Sequence, residues 1–171
     1  MEKKPTSAPL MGLMLGLVLI VTGLITFFAE LYTEQWAQWI GFIILFGGIV
    51  ACVLMHAKEV GYREGFGALF GFGFKVTAAA TVIMILYVVL QGFLFPDIKT
   101  RIIEMTQEQM SKNPQANQAQ IDQTVSWMSN NFTLMIILGV LFWYLVLGAA
   151  ASLLGAAVAK KRPVAHTFDN I

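Results

Sequence analysis

The sequence predicts an all-α integral membrane protein: a four-helix bundle with an external amphipathic helical hairpin between spans 3 and 4. Three observations carry that expectation. Of 171 residues, 57% are hydrophobic and 12% charged, whereas an ordinary soluble domain has roughly 25% charged residues. The charges cluster, leaving four long apolar runs, and about 18 or more consecutive apolar residues suffice to cross a bilayer as a helix. The one substantial polar stretch, residues 96–131, repeats its apolar residues at helical spacing. The chain is thus expected to form one membrane domain over 1–171, with spans at about 10–29, 37–56, 70–95 and 132–159.

Pro5 and Pro9 place the first helix start near Leu10. Leu10 to Ala29 follows a basic lead, but its apolar core is long for a signal peptide and no small-residue cleavage site follows, so it reads as a retained span. Gly12 and Gly16, four apart, would let another helix approach closely; tolerated membrane glycine is the simpler alternative. The first loop holds Glu30 and Glu34 and no basic residue. Tyr32, Trp36 and Trp39 suit the headgroup level around the start of the second span. Cys52 reads as a small packing residue and, as the lone cysteine, allows no internal disulfide.

A polar turn from Lys58 to Gly65 leads into a run from Phe66 to Phe95. That run is too long for one straight span of roughly 20 residues. Its glycines at 65, 67, 71 and 73 suggest an interfacial or steeply tilted first part with a bend near Gly73. Lys75 then sits near the inner headgroups, its stem in the apolar layer and its amine reaching out. The sharper reading has Lys75 facing the bundle interior and pairing with Glu59, Glu64 or a bound anion. Thr77, Thr81 and Gln91 lie at approximate helical spacing and form either a polar stripe inside the bundle or hydroxyls bonded to their own helix; the second is preferred.

In the insert, Ile98, Ile102 and Met105 make one apolar stripe, and Ile121, Val125 and Met128 another. Asn113-Pro114 separates them as a stop and a fresh start. Ser129-Asn130-Asn131 should break or kink the return to the bilayer. Asn131-Phe132-Thr133 matches the glycosylation triplet but abuts a span and reads as chance. In the fourth span Trp143 and Tyr144 are expected to pack between helices. Gly148, Ser152 and Gly155 give a smooth face for close helix packing.

Basic residues near span ends stay cytoplasmic. Lys3, Lys4, Lys58, Arg63, Lys160, Lys161 and Arg162 fall in the lead, the second turn and the tail. Both termini are therefore expected to be cytoplasmic and the insert external, in a multi-pass membrane protein.

Four spans, the Tyr62-Arg63…Gly65-Phe66 turn, the Phe72-Gly73-Phe74-Lys75 start of the third span and Pro96-Asp97 at its exit make up a recognisable layout. It resembles a family of small bacterial membrane proteins, domain-of-unknown-function family 4199, common in the Bacteroidetes. The resemblance implies a multi-pass protein of the bacterial cytoplasmic (inner) membrane with a helical insert containing acidic residues. It implies no activity and no catalytic residue.

No enzymatic constellation stands out. His56 and His166 have no local partner at metal-ligand spacing, no phosphate loop with its Lys-Ser/Thr is present, and the spans contain no acidic residue. No cofactor or metal is expected. A net charge of +1 gives no footprint for nucleic acid. The expected partners are the lipid bilayer and a membrane protein or a second copy of this chain. Two functions remain: an accessory or scaffold subunit acting by interaction, or a small transporter or channel for an ion or anionic solute, the latter resting on Lys75, Thr77, Thr81 and Gln91.

Overall fold

In a lipid environment every backbone N–H and C=O must be satisfied within the segment, so apolar runs of this length form helices. The computed structural model describes residues 5–29, 31, 35–112 and 117–160. Its order is α1 (Ala8–Phe28), α2 (Gln35–Glu59), α3 (Phe66–Leu94), α4 (Asp97–Ser111) and α5 (Gln118–Lys160). Four of these, α1, α2, α3 and α5, are long and apolar enough to cross a membrane. The Asn113-Pro114 stop, the acidic residues of the first loop, the lysines of the lead and the Lys161–His166 tail lie outside the described residues.

Helix α1 begins at Ala8, with Pro9 inside its first turn rather than before it. Proline is tolerated there because the N–H it lacks would have no helical partner. Helix α3 runs unbroken from Phe66 to Leu94, so the expected bend near Gly73 is absent. The glycine serves a different purpose, described below. Asn131 does interrupt α5, with φ −117° and ψ 21°, and its side-chain amide donates to the Trp127 carbonyl at 3.0 Å. The expected kink at the return to the bilayer is therefore present.

The chain divides into two compact units, residues 1–84 with 142–171, and residues 85–141. In the first, α1 lies antiparallel to α2, since Leu15 meets Gly48 and Thr6 meets Glu59. It runs parallel to α3, with Gly12 beside Ala79 and Gly16 beside Ile83. The first part of α3 is antiparallel to the last part of α5, as Thr77 faces Gly148 and Gly73 faces Ser152. Leu45, Ile49, Val53, Leu69 and Val76 are fully buried between these helices. Leu10, Leu17, Val21 and Phe28 of α1 point outward and are exposed. An apolar outer surface of this kind calls for lipid as its solvent.

In the second unit, the end of α3 is followed by α4 and by the start of α5. Helix α4 is amphipathic and carries no fully buried residue, whereas Ile121 and Met128 of α5 are buried. Glu108 and Lys112 pair across one turn of α4 at 2.8 Å.

Candidate functional site

The helices of the first unit meet through small residues. A Cβ built on Gly73 would lie 2.6 Å from Ser152 Oγ and 2.7 Å from Val53 Cγ2. A Cβ on Gly148 would lie 2.5 Å from Thr77 Oγ1 and 2.8 Å from Thr77 Cβ. The contacts are reciprocal: α3 offers Thr77 to the gap at Gly148, and α5 offers Ser152 to the gap at Gly73. The hydroxyls are satisfied in the same reciprocal way. Thr77 Oγ1 donates to the Gly73 carbonyl at 3.0 Å, and Ser152 Oγ donates to the Gly148 carbonyl at 2.6 Å. Each hydroxyl thus turns back one helical turn onto its own backbone, and Thr77 Cγ2 and Ser152 Oγ are the side-chain atoms that stand nearest the glycines opposite. Thr81 does likewise, donating to the Thr77 carbonyl at 2.8 Å.

Gly155 closes on α2, where a Cβ would lie 3.0 Å from Val53 Cβ and 3.4 Å from Val50 Cα. All three residues expected to form a packing face on the fourth span, Gly148, Ser152 and Gly155, are buried against neighbouring helices. Gly12 and Gly16 prove to be close-approach positions too, with a Cβ on Gly12 falling 2.6 Å from the Val76 carbonyl oxygen. Without water to expel, this fit of small residues is what holds helices together in lipid.

Lys75 does not share the environment of Thr77 and Thr81. Thr77 and Thr81 are buried, at 0% and 2% exposure. Lys75 is exposed on the outer face of α3. Gln91 belongs to the other unit. No described acidic side chain forms an ion pair with Lys75. Trp143, expected between helices, is 53% exposed, while its neighbour Tyr144 is buried. Adjacent helical positions point about 100° apart, so only one ring of the pair can enter the core. Trp143 instead leans on Phe142 and on Phe42 of α2.

A polar cluster that the sequence did not announce lies where α2 turns into α3. His56 is buried, its ring stacked on Phe72 with centroids 3.7 Å apart and planes 5° apart. Its Nε2 is 3.2 Å from Glu64 Oε2. With Nε2–H as the donor, Nδ1 is left as a buried lone pair, and it has no partner among the described residues. The turn that brings Glu64 back is a Schellman cap. Tyr62 N–H donates to the Ala57 carbonyl at 2.7 Å and Gly61 N–H to that of Lys58 at 3.1 Å. Gly61 has φ +64°, a left-handed conformation that glycine adopts without a steric penalty. Nearby, both carboxylate oxygens of Glu59 accept from Thr6, Oε2 from the N–H at 2.7 Å and Oε1 from Oγ1 at 3.0 Å. This sets a negative charge beside the N-terminus of α1, where the helix dipole favours it. The only sequence signal was the pairing of His56 with an acid eight residues on, and that spacing means nothing until the turn is known.

This cluster ties three helix ends together without forming a metal centre. Among the described residues no three His, Cys, Asp or Glu side chains stand close enough to hold a metal ion.

Neither the curated proteins nor the solved structures contain a match to this chain. One family profile does match, described as a protein of unknown function (DUF4199), over residues 10–161. That span takes in all four apolar helices together with the polar insert, and the chain is a member of the DUF4199 family.

Proposed function

We propose that this protein acts by interaction, as an accessory or scaffold subunit of a membrane assembly. The observation that carries the reading is the reciprocal Thr77–Gly148 and Ser152–Gly73 fit. Each hydroxyl at this seam is already spent on its own helix, and the glycines opposite have no room even for a methyl group. A seam of this kind suits a rigid body better than a pathway that must open and hydrate. Lys75 points away from the seam, which removes the main support for an anion route through the bundle. The protein is further read as having both termini in the cytoplasm, from its distribution of Lys and Arg, and as a resident of the bacterial inner membrane, as the family resemblance implies.

Copurification from native membranes tests the reading. A stoichiometric membrane-protein partner that survives a change of detergent is expected. Flux of an ion or anionic solute by the purified protein in liposomes, in the absence of any partner, would put the transporter reading in its place.

A further inference from the structure

The second unit contains a groove of about 160 Å³ between the end of α3 and the stretch of α5 just past its Asn131 kink. Its apolar wall includes Val89, Gly92 and Phe93 from α3 and Ile136 from α5, and its lining also includes Lys99 of α4 and Thr133. An apolar cavity of about 150 Å³ holds a benzene molecule, so this groove has room for a short stretch of an alkyl chain. Its lining changes character along its length. The apolar run of α3 stops at Phe95-Pro96, and Lys99 follows within one helical turn of Pro96. On the other side, Asn130 and Asn131 immediately precede Phe132, where the apolar run of α5 begins. The polar rim and the apolar wall therefore meet at the level where two spans leave the hydrocarbon. Lys99 is half-buried and makes no ion pair among the described residues. Asp97 shares its turn but does not line the groove.

We infer that this groove is a binding site for one anionic phospholipid of the surrounding bilayer. The lipid phosphate sits at the Lys99 ammonium, and part of an acyl chain lies between Gly92 and Ile136. A lipid matches the site because it presents an anion and an alkyl chain in that order across the same boundary. The fit rests on the second unit alone and is independent of the interaction reading above.

The test uses the full-length protein in neutral detergent, titrated with phosphatidylglycerol or phosphatidylcholine and read by native mass spectrometry. One lysine near an anionic lipid contributes about 1 kcal/mol, or about a fivefold preference for phosphatidylglycerol. Lys99→Gln should bring the two lipids to equal occupancy. Gly92→Leu should lower retention of both several-fold. Gly92 lines the groove and a Cβ there meets nothing within 4 Å, so a larger side chain is accommodated at the groove without pushing on backbone. An unchanged lipid preference in Lys99→Gln would overturn the inference, whether or not Gly92→Leu folds. So would wild-type lipid retention in Gly92→Leu, or equal binding of inorganic phosphate. A wild-type dimer that Gly92→Leu abolishes would assign the groove to a second copy instead.

Discussion

Gly148→Ala adds one methyl group at the tightest point of the α3–α5 seam. The new Cβ would stand 2.5 Å from Thr77 Oγ1 and 2.8 Å from Thr77 Cβ. Thr77 cannot simply swing aside, because it is fully buried and its hydroxyl is bonded to the Gly73 carbonyl. Overpacking of a close-packed core costs about 1–3 kcal/mol, and losing the hydroxyl bond costs about 1 kcal/mol more. The expected loss is therefore about 2–4 kcal/mol. The assay is reversible unfolding in mixed micelles, with Gly47→Ala as the control. Gly47 is also helical and belongs to the same unit, but a Cβ there meets nothing within 4 Å. That variant should be neutral, or gain the roughly 0.5–1 kcal/mol by which alanine exceeds glycine within a helix. Adding Thr77→Ala to Gly148→Ala removes Oγ1 and Cγ2 but leaves Cβ, so the pair should recover part of the loss, a coupling of about 0.5–3 kcal/mol. Equal stability of Gly148→Ala and Gly47→Ala would refute the seam.

Substitutions at Lys75, Gly61 and Lys112 test other parts of the account. Lys75→Arg and Lys75→Gln should insert and fold within about 0.5 kcal/mol of the wild type, as expected for an outward-facing side chain; a large gain in stability from Lys75→Met would place its amine in an apolar interior instead. Gly61→Ala should cost about 1–2 kcal/mol from left-handed backbone strain alone, whereas Gly65→Ala, which meets nothing within 4 Å, should be near neutral in the same unfolding assay. The Lys112 ammonium, by hydrogen bond and charge, holds the Glu108 carboxyl below its ordinary pKa. A depressed carboxylate adds stability that is present above its unfolded pKa and is lost as pH falls through its folded pKa; NMR titration should therefore show the Glu108 midpoint rising in Lys112→Gln, and an unmoved midpoint would dissolve the pair.

The spans were legible because lipid leaves a backbone few options, and an apolar run then reports its own helix. The α5 face was legible for a related reason, since Gly148, Ser152 and Gly155 repeat at helical spacing. Gly73 was misread because a glycine beside phenylalanines looks like a hinge until the residue opposite it is known. That residue, Ser152, lies 79 positions further along the chain. The same lack of a visible partner hid Gly48 against Leu15 and Glu59 against Thr6. The His56–Glu64–Phe72 cluster was hidden by geometry of another kind. It depends on two successive positive φ values, at Gly61 and Tyr62, and tyrosine gives no hint that it will adopt one. The start of the first span moved by two residues, from Leu10 to Ala8, because Pro9 sits within the first turn instead of before it.

The four-span arrangement is tested most directly by labelling from one side of the membrane. Single cysteines are placed by Gln118→Cys and by Ala165→Cys in a Cys52→Ala background, and intact cells are treated with an impermeant thiol reagent. Gln118, at the start of α5, should be labelled from outside, and Ala165 should react only after the membrane is opened. Labelling of both positions in intact cells, or of neither, would contradict the account.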